Sequence, residues 1–434
     1  MRPKTDRPTD QTPRIAAFVI EDLPVAGRSG YCTYNRAFVE ALLARGWETH
    51  LIVLGPRLPA PVFNPATVLG LPSIRVHIPA ARYALGRFWV TDPQAAARAW
   101  FRVLSSLWPR RFSSWLSARR RGESGAMVAT AIGRMSGSVD AQRVRKLLER
   151  IHPDVILVDT VLRAPAVAAA DRSVPRVLVS HDVFFKRCES LAAGGLAPRP
   201  FVTPELERTL LSGFSTVIAI SDSDAADMAT LAPTMPIRTL RSPIAAAPAT
   251  PTLPSGPTRI LYLGSAAHHN VEGLRWFLAT TWPMIIDEYP ETLLDIVGTI
   301  GETFAEVPAG VRVHGALADI GPVAGQATFA INPVRSGSGL KIKMLDYFAH
   351  GLPCVTTSVG AQGFPESPDR PIAIADSPAQ FALCVTSWAR DRTAIVQVRA
   401  AAHRYVTQFS LSSFESDLTG ILAAISARDA ARTP

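Results

Sequence analysis

At 434 residues, with 45 Lys and Arg against 36 Asp and Glu, the chain is long enough for two separately packed domains and carries a formal charge of +9. No run of about 18 or more residues is free of charged and polar breaks, which argues against a membrane-spanning helix. The four cysteines, at 32, 188, 354 and 384, match no metal spacing and suit reduced thiols in a cytoplasmic protein.

Residues 1–13 are polar and proline-rich with no apolar core, and are expected to be a disordered leader rather than a signal peptide. The continuous apolar run Ile15–Ile20 predicts the first strand of a parallel sheet. A flexible turn containing Gly27 leads into an amphipathic helix over 34–44, and 50–54 reads as the second strand. That loop is not spaced G-x-G-x-x-G, and no acidic residue closes the second strand.

Residues 82–121 have an unusual composition, with nine arginines opposed only by Asp92 and with Trp89, Trp100, Trp108 and Trp115 interleaved. Arginine beside tryptophan suits an interfacial helix on an anionic membrane surface. A helical insertion with aromatics inside and arginines in water would read the same. Nucleic acid ranks last, since no recognised motif accompanies the charge.

The α/β pattern resumes from 139, with strands over 155–158, 176–180 and 217–220. His181 and Asp182 follow the second of these, at the strand end where ligands bind in open α/β sheets. Ser221 to Asp224 reads as a helix cap. Residues 243–257 are rich in Pro, Ala, Thr and Ser and form the candidate linker between domains 14–242 and 258–410. After it come a strand over 260–263, an exit loop with Gly264, Ser265, His268 and His269, and strands over 294–297 and 311–315, the last carrying His314 and Gly315. Two adjacent histidines without a third ligand do not make a zinc site, and no metal site is expected. A terminal helix within 411–434 carries Phe414, Leu418 and Leu422 at four-residue spacing.

Residues 330–363, AINPVRSGSGLKIKMLDYFAHGLPCVTTSVGAQG, read as strand, glycine-rich turn, helix, glycine stop and strand. Leu340, Met344, Leu345 and Phe348 predict a helix starting near Leu340, with Gly351 ending it. Backbone N–H groups left unpaired where the turn Ser336-Gly337-Ser338-Gly339 feeds a helix suit a phosphate. Arg335, Lys341 and Lys343 would neutralise a second one, and Asp346 would accept from a ribose diol.

This run resembles the signature of the group 1 (family 4) glycosyltransferases of the GT-B fold, as do SHDVFFKRCES around His181 and the G-S-x-x-x-x-x-N loop at Gly264 with Trp276-Phe277 behind it. The resemblance implies two Rossmann-like domains facing a cleft, with the C-terminal helix crossing back to the first. It implies a retaining, metal-independent transferase without a cofactor, its co-substrate a nucleoside-diphosphate sugar and its acceptor a glycan, a lipid-linked molecule or another hydroxyl.

By the same resemblance Arg335, Lys341 and Lys343 stabilise the departing diphosphate and His181 contacts the transferred sugar or its phosphate. Gly27, Gly264, Ser265, Gly339 and Leu340 approach the donor phosphates, His314 and Gly315 read the base, and Asp346 holds the ribose. The family's Glu-x7-Glu pair falls on Ser338 and Asp346, so the first carboxylate is missing. Two alternatives remain. One is an epimerase or hydrolase of nucleotide sugars using Asp159 and Asp182. The other is a non-catalytic protein of the inner membrane face.

Overall fold

The computed structural model describes residues 13–25, 30–55, 62–79, 83–85, 88–90, 133–195, 197–245 and 253–430. Gly27, the leader up to residue 12, residues 91–121 of the expected insertion and residues 246–252 of the expected linker lie outside the described residues.

The strands, in chain order, are β1 (Ile15–Ile20), β2 (Glu48–Val53), β3 (Val62–Phe63), β4 (Arg75–His77), β5 (Tyr83–Leu85), β6 (Phe88–Val90), β7 (Val155–Asp159), β8 (Arg176–Ser180), β9 (Thr216–Ala219) and β10 (Ile237–Thr239), followed by β11 (Arg259–Leu263), β12 (Leu293–Val297), β13 (Val311–Gly315), β14 (Phe329–Asn332), β15 (Cys354–Thr356) and β16 (Ile372–Ile374). Thirteen of them form two parallel sheets, ordered β10-β9-β8-β7-β1-β2-β4 and β13-β12-β11-β14-β15-β16, and β3, β6 and β5 form a small antiparallel one. The central strands are buried on both faces, which is why their sequences are unbroken apolar runs rather than alternations.

Two apolar clusters cover the outer faces of the sheets. A third joins the inner faces through the C-terminal helix Leu411–Ala430. Phe414 on that helix packs edge-on against Phe38 at 5.2 Å and Tyr34 at 6.2 Å. Arg45 donates to the Glu415 carbonyl and the Thr419 hydroxyl. The helix therefore does cross back to the first domain.

Two local expectations are corrected. The start of the insertion is extended rather than helical: β5 and β6 form an antiparallel hairpin completed by β3, in keeping with the aromatic and β-branched run FWV. The helix expected from Leu340 begins instead at Lys343 and ends at Ala349. Gly337 and Gly339 hold φ of 110° and 72°, which no helix accommodates, and Lys341 Nζ donates to the Ser338 and Gly339 carbonyls that a longer helix would have used. Among the described residues no helix is long and apolar enough to cross a membrane.

Candidate active site

The carboxyl ends of both sheets face one cleft of about 430 Å³, lined from the first domain by residues after β1, β7, β8 and β9 and from the second by the 336–343 turn. Cations crowd the second wall. Lys343 donates to Asn270 Oδ1 at 2.9 Å and lies 4.6 Å from the centre of the Tyr262 ring. Asn270 in turn donates to the carbonyl and hydroxyl of Ser265. Burial pushes Lys343 down to about 7 and Lys341 down to about 8. Burial, reinforced by Lys343, Lys341 and Arg187, drives His269 down to about 3, so its imidazole is neutral among three cations. The Gly339, Leu340 and Lys341 backbone N–H groups have no acceptor among the described residues.

Opposite, His181 donates from Nε2 to Asn35 Oδ1 at 2.9 Å, with Tyr31 and Tyr34 rings at 4.7 and 5.2 Å. The Asn35 amide nitrogen is committed to Asp159 at 3.3 Å, so its carbonyl oxygen faces His181 and leaves the histidine proton on Nε2 and a lone pair on Nδ1. Burial, with Arg187 adding to it, lowers His181 to about 3 and keeps it neutral. Asp182 bridges the domains: Oδ2 accepts from Arg187 at 3.0 Å and Oδ1 from the Ser338 hydroxyl at 2.6 Å.

Lining the cleft are His181, Ser338, Leu340, Lys341 and Lys343 from the expected set; Gly339 packs beneath them against Asp182. Ser265 lies one contact away, hydrogen-bonded to Asn270, and Gly264, whose N–H donates to the Val297 carbonyl, is not in the lining. Arg335 does not join them. It pairs with Glu272 at 3.1 Å, stacks 5.1 Å over Trp276, and faces a neighbouring hollow. His314 is bound to Asp295 at 2.7 Å and, like Gly315 beside it, lies at the sheet edge away from the cleft lining. Asp346 is also outside the lining; burial raises its carboxyl to about 6. Arg187, Asn35 and Tyr31 were not expected as site residues. Arg187 is the arginine of the segment around His181 and was open to recognition there; Asn35 and Tyr31 carried no local signal.

The family model described as "Glycosyl transferases group 1" matches residues 257–391, and that of a "Glycosyl transferase 4-like domain" matches 29–244. Over most of its length the chain superposes on sucrose-phosphate synthase from Thermosynechococcus elongatus, with a TM-score of 0.63 at 12% identity over 96% of this chain and 100% of that one. TarM gives 0.63 at 9% over 95% and 99%, and HepE of Anabaena, in complex with UDP and glucose, 0.59 at 12% over 94% and 99%. At such identities the likeness establishes the GT-B fold. An uncharacterized 44.6 kDa protein in the cps region of Klebsiella pneumoniae is 22% identical over 161 residues, 34% of this chain and 42% of that protein's length. The chain belongs to the group 1 (family 4) glycosyltransferases.

Proposed function

We propose that this protein transfers a sugar, with retention of configuration and without a metal, from a nucleoside-diphosphate sugar to a hydroxyl acceptor. One observation carries the reading: Lys341, Lys343 and Arg187 converge on the 336–343 turn around a neutral His269. Fixed cations of this kind are costly together until a polyanion arrives, and they stabilise charge that develops on a departing diphosphate. His181, neutral and oriented through Asn35, stands across the cleft as a hydrogen-bonding contact for the transferred sugar.

The competing acid/base chemistry has less support. Asp159 is fully buried on the Glu21 N–H and Asn35, and both oxygens of Asp182 are engaged. The segment that would meet a membrane falls largely outside the described residues; peripheral attachment in the cytoplasm through 82–121 stays part of the proposal, with liposome flotation as its check.

The test is a thermal-shift screen. HepE and a TarM variant from S. aureus were crystallised with UDP, so UDP and UDP-sugars come first, then GDP- and ADP-sugars. At about 100 times its dissociation constant a ligand stabilises by about 2.7 kcal/mol. Lys343→Ala is expected to remove that shift with the fold intact; an unchanged shift rejects the site. Proton NMR of the product reads the anomeric configuration, and undiminished turnover in EDTA is expected of a metal-independent reaction.

A further inference from the structure

The cleft wall facing the lysines is built from Glu21, Asp22 and Thr160, with Tyr31 and Gly133 beside them. Thr160 is unusual on two independent counts. Its backbone lies at φ 61°, ψ 147°, a conformation that glycine occupies almost alone and that strains a β-branched residue. Its hydroxyl, on a residue only 7% exposed, has no hydrogen-bond partner among the described residues. The fold holds the residue there: the Thr160 N–H donates to the Val179 carbonyl at 3.0 Å, and the Arg163 N–H donates to the Thr160 carbonyl at 3.2 Å. Glycine would relieve the strain and valine would keep the shape, and either would remove the orphaned hydroxyl. Both features fall at the carboxyl end of β7, the middle strand of its sheet.

Beside Thr160, the Glu21 carboxylate is immobilised. One oxygen takes the buried Arg163 guanidinium, and the other accepts the Arg134 N–H at 3.3 Å. We infer that Thr160 and Glu21 form the acceptor subsite and that it takes the uncharged hydroxyls of a sugar rather than a phosphorylated acceptor end. The inference rests on the donor reading above, which commits the opposite wall to the diphosphate. A hydroxyl that donates and accepts, in the same cleft wall as a fixed carboxylate that only accepts, matches two hydroxyls of one sugar. On this wall the described cations are already committed, Arg163 to Glu21 and Arg134 to Asp140, so a phosphate there would find no free countercharge among the described residues.

Protein saturated with UDP is titrated, by saturation-transfer NMR, with the methyl glycosides of glucose, galactose, mannose and N-acetylglucosamine and with the 6-phosphates of the same sugars. At least one neutral glycoside is expected to bind, and no phosphate. Thr160→Val weakens that glycoside about ten-fold while UDP affinity holds, and Thr160→Ser retains it. Thr160→Gly weakens it similarly yet raises the melting temperature, a combination that a purely structural threonine does not give. Equal glycoside affinity in wild type and Thr160→Val, preferred binding of the phosphates, or no glycoside bound by a protein that does bind UDP overturns the subsite. Wild-type protein that fails to bind UDP overturns the donor reading instead.

Discussion

Lys341 and Lys343 make the proposed donor site sensitive to pH, and the sign is fixed. Both are held below the usual lysine range by burial, at about 8 and about 7, and only their charged forms attract a diphosphate. Raising the pH from 7 to 9 therefore strips most of the charge from both lysines and leaves Arg187 as the remaining cation, so binding must draw protons back in. We expect UDP-glucose affinity to fall across that window with net proton uptake, read by calorimetry in two buffers of different ionisation enthalpy. A flat affinity, or proton release, contradicts the assignment. Much at this scale could be read from residue spacing, because the loop and its lysines are consecutive. Partners from afar could not. Glu272, 63 positions from Arg335, takes that arginine away from the cleft, and Asn35, 146 positions from His181, sets its tautomer.

Among the elements, the Phe184–Ala193 helix carries Arg187 and depends on a residue outside itself. Glu207, fully buried on the helix Pro204–Leu211, accepts the Phe184 and Phe185 N–H groups at 3.0 and 2.7 Å. These are the donors that every helix start leaves unpaired. Glu207→Ala strands both in the interior and is expected to cost about 2–3 kcal/mol, seen as a lower urea midpoint at unchanged slope. A shift of only a few tenths would mean that water replaces the cap.

The buried strands were legible because fully buried parallel strands leave continuous apolar runs, and β1 and β8 have their expected bounds. Apolar spacing also revealed the helix after the glycine turn, but not its first residue. That depends on the φ of Gly337 and Gly339 and on a lysine ammonium capping carbonyls, neither of which has a periodic signature. The β5–β6 hairpin was hidden by the arginine and tryptophan content around it, which drew attention to charge rather than to local alternation.

For the molecule as a whole, closure of the cleft rests on a few contacts. Ser338 reaches Asp182, Ser190 Oγ accepts the Gly337 N–H at 2.9 Å, and Gly30 sits so close to Ile342 that an added Cβ would come within 2.8 Å. Where the family signature has a carboxylate, this chain has a serine, and the carboxylate it meets comes from the other domain. Ser338→Ala is expected to raise the radius of gyration in X-ray scattering of the free protein and to weaken UDP by about 1 kcal/mol, with saturating UDP restoring the compact form. Unchanged size and affinity would show that the bond does not hold the domains together.

The return of the last helix also sets an order of assembly during synthesis. Arg45 and Glu415 are 370 residues apart in the chain yet adjacent in space, and Phe414 covers Tyr34 and Phe38. At about 5–20 residues per second, the ribosome releases Tyr34 and Phe38 roughly 20–70 s before their cover emerges. Through that interval the nascent domain carries a bare aromatic seam, which only the final stretch of polypeptide can close.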